Sequence, residues 1–279
     1  MSEANTPKTA RSIELEGARL AWTESGPEDA RTALLVHGFP LHGEMWEQQR
    51  VALAEAYRVI VPDLRGYGGS TLGGWPVEGP DREPTLTRYA HDLAAVLDAA
   101  EADRVVIVGF SMGGYIALEM LRQHPDCLTA LAMLDSRVAA DDEAGHAGRL
   151  KMADNAAAWG SKRIAGMMRP KLLASEADES AVAQTLGQIE AADPAAIAAS
   201  QRAMAARPDS SDLIAAYDGP LLAMGGEHDE ISPPAEMRAF AENAKHGRFV
   251  EIAGAGHMAP IEKPEAVTAA LREWLDTLP

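Results

Sequence analysis

The stretch that most narrows what this chain can fold into is Arg104-Val105-Val106-Ile107-Val108-Gly109-Phe110-Ser111-Met112-Gly113-Gly114. An unalternating β-branched run reads as a strand buried on both faces, as a central parallel strand must be. Behind it, two glycines flank a serine and open a segment of helical period from Tyr115 to Gln123. The same change of period recurs along the chain. Thr32 to Val36, Tyr57 to Val61, Ala130 to Leu134, Pro220 to Met224 and Arg248 to Ile252 read as further strands, with Ile13 to Leu15 and Arg19 to Trp22 as an antiparallel edge pair joined through Gly17. Helices are expected over Glu44 to Glu55, Leu86 to Ala100, Met112 to Gln123, Pro234 to Asn243 and Pro264 to Leu275. Strands alternating with helices in this way imply an α/β fold with a mostly parallel sheet.

The rhythm breaks once. Arg137 to Asp212 is rich in alanine, has no β-branched run and carries Met152, Met167, Met168 and Met204 among helix formers, so an all-helical insertion is expected there. Ligands of open α/β sheets bind at the carboxyl ends of the strands, and an insertion at that rim is placed to act as a lid. The expected division is core over residues 1–136, cap over 137–212 and core again over 213–279. Leu72 to Pro84, with frequent Gly and Pro, reads as a loop near the same rim.

At 279 residues and 47% hydrophobic content, the chain suits one large core. Met1 to Arg11 lacks the apolar run of a secretory signal, and no stretch approaches the about 20 apolar residues of a membrane span, so a cytoplasmic protein is expected. Cys127 is the single cysteine, which excludes an intrachain disulfide and a cysteine-held metal cluster. The net charge of −17 repels phosphate backbones and anionic lipid, so neither nucleic acid nor membrane is an expected partner.

Gly109-Phe110-Ser111-Met112-Gly113 has the composition and context of a nucleophile elbow, with Ser111 raised on a tight turn at the start of a helix. A serine hydroxyl needs a base to take its proton. Among eight histidines, His257 sits in Gly254-Ala255-Gly256-His257-Met258-Ala259-Pro260, after the last strand and before the last helix, where a loop can deliver it to the same rim. His91, His124, His146 and His246 fall in expected helices or at their ends, His228 reads as a solvated loop residue, and His37 as a brace. An imidazole base needs a carboxylate to fix its tautomer. Asp229, in Gly225-Gly226-Glu227-His228-Asp229, is the preferred acid, with Asp135 and Glu227 as alternatives.

An oxyanion formed at the attacked carbonyl calls for two amides. Met112 supplies the one after the nucleophile, and Phe39, in Val36-His37-Gly38-Phe39-Pro40, the other. Phe39, Trp46, Trp159, Met167 and Met168 are the expected pocket wall, with Met112 beside them.

These motifs resemble the α/β-hydrolase family from Ile13 to Leu275, and Asp63-Leu64-Arg65-Gly66-Tyr67-Gly68-Gly69-Ser70 is similar to that family's structural loop after the fourth strand. His37-Gly38-Phe39-Pro40, with Met45-Trp46 and Leu134-Asp135-Ser136-Arg137, resembles a subgroup containing carboxylesterases, 3-oxoadipate enol-lactonases and cofactor-free perhydrolases. The resemblance implies an eight-stranded, mostly parallel sheet flanked by helices, with a helical cap after the sixth strand. It also implies hydrolysis of an ester or lactone through an acyl-enzyme on Ser111, with no metal or cofactor, and the apolar lining expected of the pocket suggests a small to medium acyl group. Perhydrolysis on the same residues is the alternative enzymatic reading, and a slow-turnover ligand receptor the non-enzymatic one. Serine at position 111 disfavours the relatives that use an aspartate nucleophile, the haloalkane dehalogenases and soluble epoxide hydrolases.

Overall fold

In a computed structural model that describes residues 8–74 and 84–279, the strands β1 (Thr9–Leu15), β2 (Ala18–Ser25), β3 (Thr32–Val36), β4 (Arg58–Pro62), β5 (Val105–Phe110), β6 (Leu128–Leu134), β7 (Leu221–Gly226) and β8 (Gly247–Ile252) share one sheet. Most of the expected Leu72–Pro84 loop and residues 1–7 lie outside the described residues. The strand order is β1-β2-β4-β3-β5-β6-β7-β8. β1 pairs antiparallel with β2, and β2 antiparallel with β4; every other pairing is parallel. All residues of β3, β5 and β7 are buried, which is why their sequences show no inside-outside alternation. β2 does alternate, turning Ala18, Leu20 and Trp22 inward, because its other face is open to solvent in part.

The helices are α1 (Glu47–Leu53), α2 (Leu86–Ala99), α3 (Met112–Gln123), α4 (Glu143–Leu172), α5 (Glu179–Ala191), α6 (Pro194–Ala205), α7 (Ser211–Ala216), α8 (Pro234–Asn243), α9 (Ala259–Glu262) and α10 (Pro264–Asp276). α3 packs on β5 and against α2, α8 packs on β7 and β8, and α10 lies against α1. α10 shows why it docks: Val267, Leu271, Trp274 and Leu275 recur at helical spacing and are its buried residues. The helix expected over Glu44 to Glu55 is two pieces, a 3₁₀ turn at Gly43–Trp46 and then α1. Asp63 Oδ1 accepts from Gly43 N–H at 2.7 Å, and the tighter turn carries Met45 and Trp46 into the core. The Asp63–Ser70 loop is braced as well: Asp63 Oδ2 accepts from Gly69 N–H (2.7 Å), and Arg65 makes a buried two-bond pair with Asp92, both at 2.7 Å.

Between β6 and β7 the chain leaves the sheet and forms α4 to α7. α4 is broken at Gly160, whose φ of 71° no helix tolerates. α7 starts within the expected insertion and runs on to Ala216. α6 is tied to the core through hydroxyls, since Ser200 Oγ lies 2.8 Å from Tyr67 Oη and 2.9 Å from Tyr89 Oη. The two ends of the excursion meet at Asp141, which accepts from Arg207 Nη1 (2.6 Å) and Nη2 (2.7 Å) and from Arg149. Arg207 also stacks over Tyr115 of α3 at 4.4 Å. Among the described residues no helix is long and apolar enough to cross a membrane.

Candidate active site

β5 ends in a turn so tight that neither flanking position has room for a side chain. A Cβ on Gly109 would meet Gly113 O at 2.4 Å, and one on Gly113 would meet Val36 O at 2.3 Å. Ser111 between them holds φ 51° and ψ −113°, a strained conformation for a residue with a Cβ, costing about 1–3 kcal/mol. Ser111 N–H donates to Leu134 O (2.9 Å), and Ser136 Oγ donates to Ser111 O (2.8 Å), so the turn is fixed from β6. Ser111 is partly exposed at the head of α3, whose residues from Met112 to Leu121 are buried.

The loop after β8 brings His257 to this turn. Its Nε2 lies 2.9 Å from Ser111 Oγ, and its Nδ1 lies 2.8 Å from Asp229 Oδ2. Asp229 comes from the loop after β7, and its Oδ1 accepts from Ile231 N–H (2.8 Å) and Ser232 N–H (3.0 Å). Burial would lift the Asp229 carboxyl, but the adjacent His257 and the two amides outweigh it and hold it below the usual carboxylate range. An ionised Asp229 accepts from Nδ1–H, which leaves the Nε2 lone pair facing the serine hydroxyl. Phe110 packs on the imidazole, with centroids 5.3 Å apart.

The two rival acids stand elsewhere. Glu227 is turned outward, accepting from Gly254 N–H at 2.9 Å. Asp135 is fully buried and accepts from Gly226 N–H at 2.8 Å through Oδ1, while its Oδ2 has no hydrogen-bond partner among the described residues. Burial, reinforced by the charge on Asp229, raises its pKa well above the usual carboxylate value. His37 accepts from Leu64 N–H through Nε2 (2.9 Å) and contacts Gly38 O through Nδ1 (3.0 Å), which braces the loop; burial pulls its pKa down to about 4.

Val36 of β3 pairs with Gly109 of β5, and Phe39 and Met112 each follow their member of that pair by three residues. Met112 opens α3, where a helix leaves its first N–H groups without carbonyl partners. Trp46 departs from expectation. It is fully buried and meets Phe110 edge-on at 6.4 Å, behind the ring that packs on His257. The Met112 side chain is also fully enclosed, whereas Phe39 keeps a sliver of surface. Trp159, beside the Gly160 break, and Met168 are half-buried, with Arg163 over the Trp159 ring at 5.5 Å. Met167 points outward and is 46% exposed, a surface position where a pocket residue was expected, because the turn of α4 that carries it buries Ile164 and Ala165 instead. Sequence reasoning missed Glu262, whose only signal was a carboxylate in the apolar run Met258-Ala259-Pro260-Ile261. Among the described residues no cluster of His, Cys, Asp and Glu is grouped to hold a metal ion.

Comparison with known proteins agrees with this architecture. An esterase from Thermogutta terrifontis, solved with malate bound, superposes with a TM-score of 0.89 and 36% identity over 96% of this chain and 99% of that one. The enol-lactonase from Burkholderia xenovorans LB400 superposes with a TM-score of 0.85 over 95% of this chain and 100% of that one, at 23% identity, a likeness of fold. Among curated sequences, epoxide hydrolase A of Mycobacterium tuberculosis is 37% identical over 45% of this chain but only 38% of its own length, and a fluoroacetate dehalogenase from a Burkholderia species matches over 34% of its own length. The pimeloyl-[acyl-carrier protein] methyl ester esterase of Aeromonas hydrophila is 27% identical over 83% of this chain and 90% of its own. The family model described as the alpha/beta hydrolase fold matches residues 33–264, and with that span and this sheet order the chain belongs to the alpha/beta hydrolase family.

Proposed function

We propose that this protein is a serine hydrolase that cleaves a carboxylic ester or lactone of a small to medium substrate through an acyl-enzyme on Ser111. The carrying observation is the line Ser111 Oγ, His257, Asp229, joined at 2.9 and 2.8 Å on an accessible, strained turn. The esterase relative with 36% identity over nearly the whole chain supports ester chemistry. The matched epoxide hydrolase and dehalogenase cover less of their own lengths, and position 111 here is serine.

His257 takes the Ser111 proton as the oxygen attacks the carbonyl carbon. Asp229 steadies the imidazolium, and the Met112 and Phe39 amides receive the oxyanion, each donor contributing about 2.7–4 kcal/mol to the transition state. The proton then passes to the leaving alkoxide. A water, deprotonated by His257, attacks the acyl-enzyme and regenerates Ser111. The helices between β6 and β7 act as the lid, with Trp159 and Met168 on its inner side.

Removing the nucleophile tests this reading. Ser111→Ala should lower kcat on an activated ester by about 10⁶ and abolish labelling by a fluorophosphonate. Retained turnover at a rate near the parent's would refute it.

A further inference from the structure

Glu262, at the end of α9, is buried, and its two carboxylate oxygens face different parts of the molecule. Oε1 accepts from the N–H groups on either side of His257, those of Gly256 (3.0 Å) and Met258 (3.1 Å). Oε2 accepts from Ala174 N–H (2.8 Å), just past the end of α4. The same two segments touch again where Met258 N–H reaches Leu172 O at 3.1 Å. They are in van der Waals closure at Gly256, where a Cβ would meet Ala174 N at 2.6 Å and the Leu173 carbonyl carbon at 2.9 Å. Among the described residues no cationic side chain is hydrogen-bonded to Glu262, and its hydrogen-bond donors there are backbone amides. Hydrogen bonds from amides to a charged acceptor are stronger than neutral ones, and three of them fix both loops relative to one rigid point.

We propose that Glu262 is a positioning residue that locks the His257 loop to the base of the helical insertion, so that the seat of the imidazole and the seat of the cap are set by one carboxylate. The proposal rests on the reading of His257 as the base. It predicts that the two oxygens are separable. A glutamine at 262 keeps one carbonyl oxygen for the amides flanking His257, but sets an N–H₂ group against Ala174 N–H, two donors that cannot bond. An alanine removes both connections.

The test compares Glu262→Ala and Glu262→Gln with the parent by amide hydrogen exchange at Gly256, Met258 and Ala174, by fluorophosphonate labelling rate at Ser111, and by kcat and KM on a short and a long acyl ester. Melting curves confirm that each variant is folded. Glu262→Gln should raise exchange at Ala174 by tenfold or more and leave Gly256 and Met258 within a few-fold, with a labelling rate near the parent's and a KM change larger for the long ester. Glu262→Ala should raise exchange at Gly256 and Ala174 by tenfold or more and less at Met258, whose N–H keeps Leu172 O as an acceptor, and lower both kcat and labelling rate by ten- to a hundredfold. If Glu262→Ala does not fold, the glutamine variant alone decides. Unchanged exchange at Ala174 in Glu262→Gln, or kcat within twofold in a folded Glu262→Ala, would overturn the proposal. Failure of the base reading looks different: exchange would respond as stated while the parent itself failed to label at Ser111.

Discussion

Asp229 and Asp135 are both buried, yet their surroundings push their proton affinities apart. Asp229 has His257 and two amides to stabilise its charge, whereas Asp135 has one amide, full burial and a charged neighbour in Asp229. Pairs of carboxyls separated in this way take different roles, one ionised and one neutral. Asp229→Asn should therefore lower kcat by about 10⁴ by presenting the wrong partner to Nδ1–H. Asp135→Asn should keep kcat within about threefold, because its amide oxygen still accepts from Gly226 N–H as a neutral acid would. The sign in stability follows from the raised pKa of Asp135. Below the ordinary value of 3.8 the parent and Asp135→Asn should melt alike, and as pH rises above it the parent should fall behind, because its unfolded chain ionises there while the folded one holds the proton. Melting temperatures across pH 3 to 8, with kcat at neutral pH, check both statements; an inactive Asp135→Asn would transfer the acid role to Asp135. At this scale Ser111, His257 and Asp229, which lie within hydrogen-bonding distance of one another in series, could be picked from the sequence because each stands in a glycine-bearing turn after a strand. The sequence did not announce the raised proton affinity of Asp135 or the burial of Trp46, which depend on what other elements press against them.

Elements that local chemistry closes were legible to the residue: α3 and α8 begin and end where composition places them, α3 behind the elbow glycines and α8 behind Pro233-Pro234. The break in α4 was not, since a lone glycine in a helical pattern reads equally as tolerated, and only the φ of Gly160 decides. The clasp at the root of the excursion was equally hidden, because Asp141 and Arg207 are remote in sequence. Burial would raise the Asp141 carboxyl, but hydrogen bonds from Arg207 and Arg149 outweigh it and bring it to about 2. A lowered pKa adds stability above the ordinary value of 3.8 that is lost as pH falls towards about 2. Asp141→Asn leaves the buried Arg207 guanidinium without its counter-charge and should cost about 3 kcal/mol at neutral pH. Its deficit against the parent should shrink as pH falls from 4 towards 2, measured by denaturant melts; a deficit constant with pH would mean that packing, and not charge, holds the clasp.

Across the whole molecule, the net charge of −17 opposes the approach of anions. Screening shortens the reach of that field from about 30 Å at 0.01 M salt to about 8 Å at 0.15 M. Over that range kcat/KM for an ester carrying a free carboxylate should rise several-fold, while a neutral ester of similar size should change little. Equal salt responses for the two would show that the mouth of the site is shielded from the overall charge. Class of fold and charge were both readable in the chain from the start, because they are sums over many residues and survive errors at single positions. The placement of the excursion has a consequence at this scale. Asp141 and Arg207 pin two points of the excursion side by side, so the loop of residues 142–206 between them carries a closure cost that grows only slowly with its length. Extra residues between these two points should therefore cost little in closure, provided that the contacts of Ser200 with Tyr67 and of Ala174 with Glu262 are kept.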